Sequence, residues 1–213
     1  VKPGRKGRPL GTAADLREKA FFAVLDRRPV LVALAGPNGA GKTTFYHAHL
    51  RHAGLRFLNA DDFARGMGVD PYEAARIVSE LREELVRQGE SFVFETVFSD
   101  PVGDKLAFLK RAAQLGYTVV VCFIGISTVE QSEERVAMRV SQGGHDVPLA
   151  KLVSRFPRIL VNLEAAVREL PYVLAYNNEE LRNPFKKVAV FENGRLVWCG
   201  KPVPKWLANL LRA

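Results

Sequence analysis

The chain is poor in cysteine and has no long apolar run. Only two of its 213 residues are cysteines, which excludes a small fold stapled by disulfides. Cys122 lies inside the apolar run Thr118–Ile126 and reads as a small buried hydrophobe; Cys199 follows Trp198 near the end. The longest apolar stretches reach about ten residues, half of the ~20 that a helix needs to cross a bilayer. The basic start has no apolar run behind it, so no signal peptide is expected. Together these absences point to a reduced, cytoplasmic protein without a membrane segment. Two further absences matter. The run Thr118–Ile126 contains no acid, although a hydrolytic ATPase commonly ends such a strand with a metal-binding Asp. There is also no Asn-Lys-x-Asp, the guanine-reading signature.

What is present is ordinary for a globular domain: 47% hydrophobic and 25% charged residues, which excludes disorder of the whole chain. The net charge is +8, compatible with nucleic acid, with phosphorylated ligands or with plain solubility. Part of it is local, because Lys2, Arg5, Lys6 and Arg8 sit in the first stretch. Residues 1–13, rich in Gly, Pro and basic groups, read as a flexible arm. Residues 14–213 read as a single domain with a lid at about 127–160.

The apolar pattern decides the fold class. A helix is expected over Ala14–Asp26. Val30–Ala35 is a continuous apolar run, as a strand buried on both faces should be. A glycine loop, Gly36–Gly41, leads to a helix over Lys42–His52 and a short strand over Arg56–Ala60. Then come a helix over Tyr72–Gln88, a strand over Phe92–Val97, a helix over Lys105–Leu115 and the strand Thr118–Ile126. Helices over Val129–Val140 and Leu149–Leu170 follow, then a strand over Tyr172–Tyr176. The alternation predicts an α/β protein with a mainly parallel sheet and helices on both faces; with the glycine loop after its first strand, this is the P-loop NTPase fold. Lys187–Glu192 and Arg195–Cys199, joined by Asn193-Gly194, predict a C-terminal β-hairpin. A short terminal helix is expected over Lys205–Leu211.

The strongest motif is Gly36-Pro37-Asn38-Gly39-Ala40-Gly41-Lys42-Thr43, with Thr44 behind it. It fits G-x-x-x-x-G-K-[ST] and sits between an expected strand and an expected helix. In such a loop the backbone N–H groups wrap phosphates and the helix aims its positive end at them. Lys42 is then placed to reach the β- and γ-phosphates of ATP, and Thr43 to ligate Mg²⁺.

Phosphoryl transfer also needs a group on the acceptor hydroxyl, so carboxylates at the ends of strands are the candidates. Asn59-Ala60-Asp61-Asp62 ends the second strand, and Glu95-Thr96 interrupts the third. Asp61 reads as a catalytic base or as the N-cap of a short helix near Asp62, and spacing does not separate the two. Glu95, an acid in an apolar run, is a candidate for a Mg²⁺-bound water or for substrate, or else a buried partner of an Arg or Lys. Further on, Arg139 and Arg155 flank the Gly143-Gly144 break. They read as clamps on a hinged lid that closes over the γ-phosphate, or as a solvated basic face with a glycine cap. His145, beside the break, is a candidate for substrate contact. His47, His49 and His52 read as a polar helix face, not a metal site.

These pieces together resemble the zeta-toxin family of P-loop kinases. The resemblance covers roughly residues 30–200. It rests on the glycine loop at 36–43, Asn59-Ala60-Asp61 and Phe94-Glu95-Thr96. It continues through Arg139-Val140 followed by Gly143-Gly144-His145-Asp146-Val147-Pro148, then Arg155, Asn162-Leu163 and Tyr176-Asn177-Asn178. It implies a kinase that phosphorylates a hydroxyl of UDP-N-acetylglucosamine, a nucleotide sugar, with ATP and Mg²⁺, and an antitoxin protein as partner. By the same resemblance, Asp61 is the base and Lys42, Arg139 and Arg155 hold the ATP phosphates. Glu95 lies on the acceptor side, where Asn59, Thr96 and His145 are also placed. The chain departs from the family at Asn177 and Glu179, where Tyr-Asp-Asn-Ser is common.

Two other classes compete. A P-loop ATPase or nucleotide switch, working with a protein or nucleic-acid partner, would need a positioned water and a coupled switch segment; the lid arginines and Asp61 suit transfer to a hydroxyl better. A nucleic-acid module rests only on Lys6-Gly7-Arg8-Pro9, one residue away from an Arg-Gly-Arg-Pro minor-groove hook. The arm reads as a plain tail instead of a DNA contact.

Overall fold

Val30–Ala35 carries no polar side chain and forms strand β1, buried along its whole length. Around it the structure, a computed structural model, describes residues 23–212. The basic arm and most of the helix expected over Ala14–Asp26 lie outside those residues; 23–25 are helical.

After β1 the glycine loop enters helix α1, Lys42–Phe45. Strand β2 is Arg56–Leu58, and helices α2 and α3 are Ala60–Met67 and Pro71–Arg87. Strand β3, Phe92–Thr96, precedes helix α4, Asp104–Gln114. Strand β4 is Thr118–Gly125, and helices α5 and α6 are Val129–Ser141 and Leu149–Glu169. Strands β5, β6 and β7 are Tyr172–Asn177, Lys186–Glu192 and Arg195–Cys199, before helix α7, Lys205–Leu210.

Among the described residues the strands form one sheet in the order β2-β3-β1-β4-β5-β6-β7. The first five run parallel and the last two add an antiparallel edge. The P-loop NTPase architecture expected from the alternation is therefore borne out. Successive side chains on a strand face opposite ways, so the sheet has a core on each side. Leu31, Ala33, Phe92, Phe94, Val121 and Phe123 point to one; Val32, Leu34, Val93, Val120, Cys122 and Ile124 point to the other. β1 lies between β3 and β4, so the chain leaves it toward one side of the sheet and later returns to the other. The crevice at such a switch point, beyond the carboxyl ends of the strands, is where open α/β sheets bind ligands.

Two local departures from the expected elements have physical causes. The helix after the glycine loop is α-helical only to Phe45. It widens into a π turn over Tyr46–Leu50 and tightens over Arg51–Ala53. The wide turn lets Phe45, Tyr46 and Leu50 all reach the core. β2 stops at Leu58, because Asn59 turns away to cap α2. Pro157 lies inside α6, where it removes one backbone bond. The hairpin formed as expected, with positive φ at both Asn193 and Gly194, as a type I′ turn requires. No helix among the described residues is long and apolar enough to cross a membrane.

Candidate active site

The six buried residues of β1 lead into the glycine loop, and that loop depends on close packing. At Gly36 (φ 141°) a Cβ would lie 2.2 Å from the Ile124 carbonyl oxygen, so only glycine lets β1 leave the sheet here. Ala40 N donates to Pro37 O at 3.2 Å, closing the curl. Two buried side chains then fasten the loop from outside. Ser132 Oγ of α5 donates to Asn38 O at 2.7 Å, and Asn178 Nδ2, just past β5, donates to Ala40 O at 2.8 Å. Among the described residues, no acceptor takes up the backbone N–H groups of Gly39, Gly41, Lys42 and Thr43. These donors stand at the helix start, where the backbone dipole favours an anion. The loop thus fits a nucleotide's phosphates.

Lys42 is buried at the base of the loop. Its Nζ donates to Gly36 O at 3.0 Å and Pro37 O at 2.9 Å and lies 3.6 Å from Glu95 Oε1. Burial holds the ammonium below the ordinary lysine pKa; the Glu95 carboxylate pulls it back up, while Arg139 lowers it and Asp61 raises it. Those influences place Arg139 and Asp61 in the same electrostatic neighbourhood as the cradle. Thr43 Oγ1 donates to Glu95 Oε2 at 2.7 Å. Asn59 Nδ2 donates to the same oxygen at 3.0 Å, and its Oδ1 accepts from Asp61 N at 2.8 Å and Asp62 N at 3.4 Å. One asparagine therefore caps α2 and ties it to β3. The cap is Asn59, so Asp61 is free of that duty.

Asp61 sits in the first turn of α2 with its side chain 53% exposed, and its Oδ2 is 3.8 Å from Arg139 Nη1. Arg139 also donates to the His145 carbonyl at 2.7 Å. Gly144 makes room for it, since a Cβ there would lie 2.6 Å from Arg139 Cγ. Arg155, on α6, donates to Asn38 Oδ1 at 3.4 Å. The two arginines thus stand apart, Arg139 facing Asp61 and Arg155 facing the loop. Thr96 Oγ1 accepts from Phe98 N at 3.0 Å, shaping the turn after β3. Thr44 and His145 are exposed, and His49 packs its ring against Phe45 at 4.7 Å.

Among the described residues no group of His, Cys, Asp or Glu gathers as a metal site. Thr43 with Glu95 beside it suits Mg²⁺, which keeps several waters and takes its other ligands from substrate phosphates. Sequence reasoning missed Ser132 and Asn178 as loop fasteners, and Arg135, whose Nη2 donates to Glu179 O at 3.0 Å. Only the Asn in Tyr176-Asn177-Asn178 gave any signal. The departure at Asn177 and Glu179 is coupled: Asn177 Nδ2 donates to Glu179 Oε2 at 2.8 Å, while its Oδ1 accepts from Trp206 Nε1 at 2.9 Å. A cavity of about 370 Å³ lined by Ser127, Thr128, Glu180 and Lys205 shares no residue with the cradle.

The loop, its lysine and the parallel sheet define a P-loop nucleotide-binding protein with a kinase-like fold. The chain belongs to the AAA domain family, whose sequence profile matches residues 31–154. No curated protein sequence matches it. Among solved structures, the AvrRxo1-ORF1:-ORF2 complex with ATP aligns with a TM-score of 0.63 at 17% identity, over 85% of this chain and 66% of that one. The chain therefore spans just under two thirds of that protein's length. The PezAT chromosomal toxin–antitoxin system of Streptococcus pneumoniae aligns with a TM-score of 0.55 at 17% identity, over 96% of this chain and 88% of that one. The Pnkp1/Rnl/Hen1 RNA repair complex aligns with a TM-score of 0.50 at 19% identity, over 65% and 46% of the two chains. These likenesses are of fold, and they bear out the zeta-toxin-like P-loop kinase fold that the motifs implied.

Proposed function

We propose that this protein is an ATP-dependent phosphotransferase acting, in the cytoplasm, on a hydroxyl of a small molecule. A nucleotide sugar such as UDP-N-acetylglucosamine is the first acceptor to test. The observation that carries this reading is the Asp61–Arg139 pair, 3.8 Å apart and both acting electrostatically on Lys42. An exposed carboxylate facing a lid arginine beside a phosphate loop suits transfer to a hydroxyl better than hydrolysis.

In this mechanism the loop N–H groups and Lys42 hold the β- and γ-phosphates of ATP. Lys42 exchanges the Gly36 and Pro37 carbonyls for phosphate oxygens, which repay its burial. Mg²⁺ at Thr43 would supply charge neutralisation across the phosphates. Glu95, already fixed by Thr43 and Asn59, orients what binds there. Asp61 takes the proton of the acceptor hydroxyl as that oxygen forms its bond to the γ-phosphorus and the bond to the ADP oxygen breaks. Arg139 moves from Asp61 onto the transferring group, and Arg155 steadies it from the side of Asn38.

An antitoxin partner is proposed from the likeness to PezAT, described as a toxin–antitoxin system. The exposed Met67, Tyr72, Met138 and Leu149 give apolar surface on the helices around the crevice for such a partner.

The test is mass spectrometry of UDP-N-acetylglucosamine, and of a panel of other hydroxyl acceptors, after incubation with the protein and ATP·Mg²⁺. One added phosphate on any acceptor supports the proposal. ATP consumption with inorganic phosphate as the only product across the panel overturns it.

A further inference from the structure

The cavity of about 370 Å³ that shares no residue with the phosphate loop stands at the carboxyl ends of β4 and β5, and the segment entering α7 lines its far side. Its apolar floor belongs to the face of the sheet opposite α1. Val188 sits in, and Val203 packs against, the core that holds Trp206 and Leu207 of α7, whereas Phe45 of α1 lies in the other core. The volume is at the lower end of the ~300–1,000 Å³ usual for small-molecule sites. Among the described residues no aromatic side chain lines it, so no ring stands ready to stack a nucleobase.

One polar group in the wall has unmet bonding. Ser127 Oγ is buried with no partner, a costly state for a hydroxyl unless something binds against it. The charged side chains of the wall are two acids and two cations, and the protein itself engages one of each. Glu179 Oε2 accepts from Asn177 Nδ2 at 2.8 Å, and Lys186 Nζ donates to Lys201 O at 3.3 Å. Glu180 and Lys205 are left over. Among the described residues no side-chain hydrogen bond or ion pair holds either of them, and they do not pair with each other although they line the same cavity. Both are exposed, so water satisfies them until a ligand with complementary charges takes its place.

We propose that this cavity is a second small-molecule site, separate from the phosphate loop, and that it binds a free aliphatic amino acid. A zwitterion answers both leftover charges at once. Its carboxylate takes the Lys205 ammonium and the Ser127 hydroxyl, and its ammonium takes the Glu180 carboxylate, each a charge-assisted bond. Its side chain lies on Val188, Val203 and Pro204, a surface that is aliphatic throughout. The site does not depend on what the loop does with its phosphates, so it stands whether or not the protein is a phosphotransferase.

The experiment titrates the whole protein with L-leucine, L-isoleucine and L-valine by ligand-observed NMR. It repeats the titration with isocaproate and isoamylamine, which keep the leucine side chain and lack the ammonium or the carboxylate. At least one of the three amino acids should bind. The two analogues, and the variants Glu180→Gln and Lys205→Met with the amino acid that binds, should each show affinity about tenfold weaker, the usual loss of a charge-assisted contact. Melting temperatures of the variants should stay within about 2 °C of wild type, as for other surface changes, which shows that they fold. Binding should persist when the loop is filled with a non-hydrolysable ATP analogue and Mg²⁺. The proposal is overturned if none of the three amino acids binds, if the analogues bind as well as leucine, or if both variants bind as well as wild type. Loss of amino-acid binding in the presence of the ATP analogue also overturns it, by making the cavity part of the nucleotide site.

Discussion

Asp61 and Arg139 face one another across the crevice, carboxylate Oδ2 and guanidinium Nη1 3.8 Å apart, although 78 residues separate them in the chain. The pair joins the first turn of α2 to the last turn of α5. If Asp61 is the base, Asp61→Asn should lower turnover by ~10²–10⁴ and leave the affinity for an ATP analogue little changed. Steady-state rates beside calorimetric binding would show this, and full activity in the variant would end the base assignment.

Gly144 gives a sharper test of the lid. Its backbone needs no unusual φ, but a Cβ would meet Arg139 Cγ at 2.6 Å. Gly144→Ala should therefore displace Arg139 and lower kcat about tenfold or more, since small misplacements of catalytic groups are costly. The melting temperature should barely move, because the site is at the surface. Unchanged kcat would mean that Arg139 does not act from this position.

The loop fasteners should matter to the nucleotide more than to the fold. Asn178→Ala removes the bond to Ala40 O and leaves a buried carbonyl unpaired, at a cost of about 1–3 kcal/mol. ATP affinity should fall with it, because the loop loses its preset shape. Thermal melts with and without ATP·Mg²⁺ would separate the two effects.

The cysteines allow a check with a pH dependence. Burial pushes the Cys122 thiol up to about 12, while Cys199 is partly exposed. A disulfide reagent at pH 8 should titrate Cys199 at once and Cys122 only in denaturant. Because the folded pKa lies above the usual 9.0, the unfolded chain ionises first. The stability that Cys122 contributes is thus intact below pH 9 and lost as the pH rises toward 12.

Much of this arrangement is legible in the sequence, and the reason is locality. Val30–Ala35 and Thr118–Ile126 announce buried strands because parallel strands covered on both faces need unbroken apolar runs. The phosphate loop is eight contiguous residues whose glycines have no other ready explanation. What stays hidden is joined from far apart. Ser132 reaches Asn38 across 94 residues and Asn178 reaches Ala40 across 138, and no spacing rule marks either. Whether Asp61 caps the helix is also beyond spacing: the cap is Asn59, a residue type that caps as well as Asp, and its amide also bonds Glu95 on the strand that pairs with β2.

The most direct test of the central claim is the stoichiometry of transfer: ADP formed against phosphate gained by the acceptor, measured in one reaction by chromatography and mass spectrometry. Wild type should give the two in equal amounts, Asp61→Asn should slow both together, and Lys42→Ala should abolish both. ADP matched only by inorganic phosphate, with every acceptor unmodified and Asp61→Asn as fast as wild type, would contradict a phosphotransferase.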